Sequence, residues 1–382
     1  MKKGWEVKKM GELCEIKTGR RDANHGNPNG VYHFFTCAKD HSYIDDYSFD
    51  TEAILVAGNG DVGAVKYFKG KFDAYQRTYV LKDFEATINV RFLFILLHGY
   101  LKDTVAKQKL GNTMPYIKVG MLKNFQVPLP PLPEQQRIVE ILDKAFVAID
   151  KAKQNAEQNL RNAKEVFENY LHGVFDDKGD DWEDTSLKKE ISLATGFAFK
   201  SKYYTTDGED ILLLRGDNIM QGNFRWKDAK RWDKSEYDDF EKYQLQENDI
   251  VLAMDRPWVK AGLKCARVSK SELPSLLVQR TARLRNKPQL DNSFLYYLIQ
   301  SKGFTDYLID IQTGIGVPHI SGKQIFGFAF RKPRLKEQQQ IVKKINSLSV
   351  ETKKTETLYQ QKLDNLDELK KSILQKAFRG EL

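Results

Sequence analysis

The chain has 382 residues, of which 41% are hydrophobic and 12% aromatic, and a formal net charge of +9. That length predicts two domains rather than one core, and the composition excludes wholesale disorder. Its longest apolar run, Phe92-Leu93-Phe94-Ile95-Leu96-Leu97, is far shorter than the roughly 20 residues needed to span a bilayer. Met1-Lys2-Lys3 has no apolar segment behind it, so no signal peptide is expected. Three scattered cysteines, Cys14, Cys37 and Cys265, fit a reducing environment, and the expected location is cytoplasmic.

A first block opens at Trp5-Glu6 and reaches Thr18-Gly19; a second opens at Trp182-Glu183 and reaches Thr195-Gly196. From Ala53 to Val80, short β-type runs alternate with Gly and Asn turns, and Asp249–Val268 repeats the pattern. Gln76-Arg77-Thr78 returns as Gln279-Arg280-Thr281. Between Gly196 and Gln279 the second block carries about 26 additional residues, because the offset between the copies grows from 177 to 203. A helix is predicted in each block, over Phe92–Lys102 and Phe294–Ile309, followed by the Gly/Pro loops 111–117 and 314–320.

Pro128, Pro130, Pro131 and Pro133 lead into Glu134-Gln135-Gln136-Arg137-Ile138-Val139. An SH3-type PxxP ligand competes there with the plainer reading: an extended approach, Pro at a helix start and an acid in its first turn. The Glu134 stretch, 134–175, recurs at 337–378, with 13 of 42 aligned positions identical. Ile138, Leu142, Ala145, Ile149, Ala152, Ala156, Ala163, Val166 and Tyr170 step by four and three, broken at Asn159. Ile341, Ile345, Leu348, Thr352, Thr355, Tyr359, Leu366, Leu369 and Ile373 do the same, broken at Lys362. That is a coiled-coil seam with polar layers, on rods of roughly 60 Å. Connectivity predicts an antiparallel pair.

The expected architecture is therefore α/β (α+β): two homologous globular domains separated by a long antiparallel two-helix coiled coil, with pseudo-two-fold symmetry. Its parts are 1–133, helix 134–175, 176–336, and helix and tail 337–382. Positive charge sits on the blocks. Residues 1–127 hold 19 Lys/Arg against 14 Asp/Glu, and 185–336 hold 26 against 18, whereas 134–175 hold 6 against 7. Basic blocks on near-neutral spacers are the footprint of polyanion binding; an inert basic surface is the alternative.

Catalytic signatures are missing. Gly58-Asn59-Gly60-Asp61-Val62-Gly63 matches G-x-G-x-x-G by letter, but a strand-like run follows where a dinucleotide site needs a helix. His33, Cys37 and His41 have helical ligand spacing in a strand-like context, so no metal site is expected. No Ser or Cys signature accompanies the histidines. There is no Asn/Asp-Pro-Pro-Tyr/Phe methyltransferase motif, and Glu6-Val7-Lys8 and Glu368-Leu369-Lys370 lack the context of a nuclease.

Two variable blocks alternating with two Glu-Gln-Gln helices, with Leu129-Pro130-Pro131-Leu132-Pro133 before the first and Leu374–Leu382 ending the second, resemble the specificity (S) subunit of type I restriction–modification systems. The resemblance covers essentially the whole chain. It implies that each block reads one half of a bipartite site in double-stranded DNA, and that the helical pair sets the spacer and docks methyltransferase subunits. It implies two methyltransferase (M) and two restriction (R) subunits as partners, which carry adenine-N6 methylation and ATP-dependent cleavage. S-adenosylmethionine, ATP and Mg are then expected on those partners and no cofactor on this chain. Base readers are expected on the duplicated loops: Arg20, Arg21, Asn59, Gln76, Arg77, Asn112 and Thr113, then Lys200, Arg215, Asn218, Arg256, Trp258, Arg280, Thr313 and His319. The competing functions are a DNA-acting enzyme, nuclease or methyltransferase, with a degenerate motif, and a coiled-coil adaptor with no DNA role.

Overall fold

The structure is a computed structural model that describes residues 4–106, 110–111, 115–176, 181–259, 262–314 and 318–382. The chain divides into two compact units, Met1–Asn159 with Tyr359–Leu382, and Leu160–Leu358. Each unit combines one globular block with part of each long helix, Leu132–Asp176 and Leu335–Arg379.

In the first unit, Trp5 is buried and leads into the strand Glu6–Lys9, which pairs antiparallel with Gln126–Leu129. This ribbon brings the two ends of the block together at the start of the first long helix. The central sheet has six strands among the described residues, in the order Glu15–Thr18, Thr78–Lys82, Phe49–Ala57, Val65–Ala74, Tyr32–Phe35 and Ser42–Ile44. Ala53–Ala57 is buried throughout because both faces of the sheet are covered. Alternate residues serve the two faces. Ile54 and Val56 pack with Phe92, Leu93 and Leu97 of the helix Val90–Ala106, while Ala53 and Leu55 join Phe35, Phe72 and Val80. Gly58–Gly63 turns the chain between Phe49–Ala57 and Val65–Ala74, with Gly60 and Gly63 in the left-handed region. A strand does follow the glycines, as the sequence predicts.

The second unit repeats the plan. Buried Trp182 precedes Glu183–Ser186, which pairs antiparallel with Ala329–Lys332. The strands Ile191–Thr195, Thr281–Asn286, Ile250–Ala253 and Cys265–Arg267 form the central sheet. Much of the additional length lies between Leu214 and Asp249. It includes Arg231–Trp232, which pairs with Ile211–Leu214, and part of a separate aromatic core in which Trp232, Tyr237 and Phe240 surround Phe199. The predicted helix Phe294–Ile309 is in fact two, Asn292–Gln300 and Lys302–Ile311. Ser301 between them is extended and its hydroxyl accepts from the Phe304 amide, so it caps the second helix.

The Glu-Gln-Gln repeat has a structural cause. Gln135 is fully buried; its amide donates to the Pro130 and Thr87 carbonyls at 2.8 and 2.9 Å, and its oxygen accepts from the Asn89 amide at 2.8 Å. Gln338 does the same with Pro333, Gln289 and Asp291, at 2.8, 3.2 and 2.8 Å. Each glutamine fastens the start of a long helix to the loop that opens the block's own helix. The second long helix therefore begins as the first does, although it lacks the proline cluster.

Within the first unit the two helical segments run antiparallel: Lys370 pairs with Asp150 at 3.1 Å and Lys153 with Asp367. Ile138, Leu142, Ile149 and Ala156 are buried as the seam predicts, and Phe378 packs on Phe92 with ring centroids 5.2 Å apart. In the second unit Phe175 packs on Phe294 at 5.2 Å, and Leu171 shares a core with Ile345. Two seam assignments fail: Val166 and Leu369 are exposed. Near the ends of the helices the buried face turns toward the globular core, and Leu171, Ala377 and Phe378 are covered instead.

Burial pushes the thiols of Cys14 and Cys265 up to about 12, far above neutrality. Both should therefore resist alkylation in the native chain at pH 8 and react on unfolding. Mass-spectrometric labelling with and without denaturant checks this; equal labelling in both would contradict the burial.

Candidate nucleic-acid interface

Loops at one end of the strands of each central sheet are laced together by a shared set of backbone hydrogen bonds in both units. In the first unit, Gly58 donates to the Arg77 carbonyl at 2.9 Å, Ile117 donates to Gly58 at 3.0 Å, and Leu110 and Tyr116 exchange bonds. In the second, Met254 donates to Arg280 at 2.9 Å, Ile320 to Met254 at 2.9 Å, and Thr313 and His319 exchange bonds. Asn59 bridges to Tyr116 as Asp255 bridges to His319. Gly19 and Gly196 lie where no side chain fits, since a β-carbon would fall 1.8 Å from the Ala74 oxygen and 2.1 Å from the Val278 oxygen. The central bonds of the scaffold are thus duplicated, while the side chains it displays differ.

On the first scaffold Arg20, Gln76 and Arg77 are exposed and Asn59 is half-buried. The Gln76 side chain donates to Asp22 at 3.4 Å, and its backbone N–H donates to the Arg21 carbonyl. The Arg21 guanidinium donates to fully buried Asp73 at 3.3 Å, so Arg21 also anchors its loop to the sheet. Asn112 and Thr113 lie outside the described residues.

On the second scaffold Lys200, Arg256, Arg280, Thr313 and His319 are exposed. Thr313 and His319 also bond through their side chains, at 2.8 Å. Arg215 is half-buried and pairs with Asp217 at 3.3 Å. Two of the expected readers also have structural roles. Asn218 is buried, accepts from the Arg215 amide and donates to the Arg225 carbonyl, both at 3.0 Å, so its amide shapes the loop from within. Trp258 is half-buried against the core, on a short strand paired with Gly262–Leu263. A large aromatic beside arginines is a fair reader by residue type, but burying its ring there is more favourable than leaving it in water.

Sequence reasoning missed Asp255, which accepts from Arg280 at 2.6 Å. Aligning the blocks at the local offset, 255 − 59 = 196, puts Asp255 opposite the candidate Asn59 and could have found it. Lys264 was also missed. Its ammonium donates to the Gly216 carbonyl and tethers the additional loop to the scaffold, and burial lowers its pKa from the ordinary lysine value.

Among the described residues no group of three His, Cys, Asp or Glu side chains could hold a metal ion. His33 and His41 meet edge to face on a strand and its following loop, with ring centroids 4.5 Å apart. No helix of the described residues is long and apolar enough to cross a membrane.

A family model described as the type I restriction modification DNA specificity domain matches residues 2–158 and again 179–366. The chain belongs to that family. It is 28% identical to the type I restriction enzyme EcoDI specificity subunit of Escherichia coli, over 99% of this chain and 88% of that protein. It is 24% identical to the MjaVIII specificity subunit of Methanocaldococcus jannaschii, over 99% and 93% of the two chains. A chain from a structure of the type I R-M system in complex assembly and conformational transition superposes with a TM-score of 0.81 at 17% identity, covering 100% of this chain and 99% of that one. The HsdS subunit from Thermoanaerobacter tengcongensis gives 0.60, also at 17% identity, covering 100% and 98%. This chain is a DNA specificity subunit, and its role is recognition rather than catalysis. Its two family matches fall on the two copies of the block and helix.

Proposed function

We propose that this specificity subunit reads a bipartite, asymmetric DNA site, one half-site per globular block, across a spacer set by the two long helices. The observation that carries the reading is the duplicated loop scaffold. A shared set of backbone bonds fixes where side chains are displayed, while the pairs Asn59 and Asp255, Gly60 and Arg256, and Tyr116 and His319 differ in what they offer to a base edge. Arg20, Arg77, Lys200, Arg256 and Arg280 are exposed cations there, suited to phosphates and to guanine.

The helices are in this reading the dock for two methyltransferase subunits, joined by two restriction subunits in the full complex. Val147, Val350 and Leu358 support docking, because these apolar side chains are exposed on the rods. Catalysis then belongs to the partners: adenine-N6 methylation with S-adenosylmethionine, and cleavage driven by ATP with Mg.

Co-expression with a cognate methyltransferase subunit and mapping of N6-methyladenine tests the proposal. One bipartite motif is expected. Adding or deleting residues within 134–175 should change the number of unread base pairs and preserve both half-sites. A continuous motif, or methylation or cutting by this chain alone, would overturn the reading.

A further inference from the structure

We propose that Arg280, aimed by Asp255, reads a guanine in the half-site recognised by the second block. This deepens the reading above and rests on it. Arg280 is 67% exposed, and its Nη1 donates to the Asp255 carboxylate at 2.6 Å. A guanidinium carries five N–H donors. Among the described residues no other side-chain bond of Arg280 is seen, so donors remain for the O6 and N7 acceptors of guanine, the bidentate match of this group.

The carboxylate argues for a base rather than a phosphate. An anion beside the guanidinium repels a second anion and fixes the direction of the fork, which a neutral base edge exploits and a phosphate does not need. The backbone agrees. Arg280 sits at φ +64° and Arg256 at φ +43°, in the left-handed region that side chains other than glycine seldom adopt. The counterpart of Arg256 in the first block is Gly60, at φ +61°. The second block thus holds two arginines in a glycine-like conformation, Arg280 accepting the Met254 amide and Arg256 two residues beyond Met254, and strain of that kind collects at binding sites. The first block has Arg77 at the same scaffold position but Asn59 where the carboxylate would be, so the assignment concerns the second half-site alone.

The test maps N6-methyladenine motifs made by the complex with its methyltransferase partner, using the wild-type chain, Arg280→Ala, Arg280→Lys and Asp255→Asn. The wild type should require guanine at a position of one half-site. Both Arg280 variants should relax that position by about 10- to 100-fold and leave the other half-site unchanged, because Lys keeps the charge but loses the fork. Asp255→Asn should relax the same position by less, without altering the salt dependence of binding. Arg280→Ala weakening all sequences equally, with rescue by Arg280→Lys, would make Arg280 a phosphate contact and overturn the assignment. So would unchanged discrimination in all three variants. A wild-type complex without a bipartite motif would instead defeat the specificity reading itself.

Discussion

Replacing residues 1–127 with the corresponding block of another specificity subunit changes one half-site of the methylated motif and leaves the second half-site and the spacer as they were. The block carries its own two-sided sheet, and the loops that display Arg20, Asn59, Gln76 and Arg77 are held by that sheet and by Tyr116 and Ile117 of the same block. It meets the helices through a defined set of apolar contacts, among them Phe92 and Tyr100 on Phe378 and Gly99 facing Leu374. An exchange that keeps these positions, and the pairing of Glu6–Lys9 with Gln126–Leu129, preserves the fold while changing every displayed side chain. Each mismatched base pair costs about 1–3 kcal/mol. Several at once should therefore abolish methylation of the original site, by about a thousandfold or more. Sequencing of N6-methyladenine before and after the exchange reads the outcome directly. A change in both half-sites, or in the spacer, would show that recognition is not confined to the block.

The second large effect concerns stability. Gln135→Leu keeps most of the side-chain volume but strands the Thr87 and Pro130 carbonyls and the Asn89 amide, and Gln338→Leu strands their counterparts at Gln289, Pro333 and Asp291. Leaving a buried polar group without its partner costs about 1–3 kcal/mol; only the Pro130 and Pro333 carbonyls lie in fully buried bonds, while Thr87 and Gln289 are exposed, so each variant should destabilise its unit by about 2–4 kcal/mol. That is a large part of the stability of an ordinary domain, about 5–15 kcal/mol. Gln339→Leu, one residue further and exposed, should change stability by no more than about 0.5 kcal/mol. Urea midpoints of the three variants decide the matter. If Gln135→Leu and Gln338→Leu unfold with Gln339→Leu, the clamp has no energetic role.

The internal repeat made much of this legible. Two Trp-Glu openings, two Gln-Arg-Thr turns and two Glu-Gln-Gln helices give the order of parts, because a pattern duplicated in the same order is hard to produce by chance. The strand after Gly63 was likewise readable, since Val65–Phe68 lacks helical periodicity. Ser301 was harder: the apolar spacing continues across it, and only its extended backbone and capping bond divide the helix. Val166 and Leu369 show the same limit, since a seam read from spacing assumes one partner along the whole rod.

At the interface the division is sharper. Residue type alone pointed to arginines, asparagines and a tryptophan on loops. It could not say that Asn218 is buried in its own turn, that Trp258 rests on the core, or that Arg21 anchors on Asp73. Those outcomes depend on which way a loop faces, and that is fixed by contacts between residues far apart in the chain.

By itself the sequence determined the duplication, the two long helices, the basic character of the blocks and the family, because these are written in spacing and composition. Only the tertiary structure decided what the buried glutamines do, which loops share a scaffold, and that Asp255 stands beside Arg280. Hydrogen bonds closed across 25 to 48 residues, as between Asp255 and Arg280 or Gln135 and Thr87, leave no periodic trace. They exist only once the sheet has set its register and brought the loops to one end of its strands.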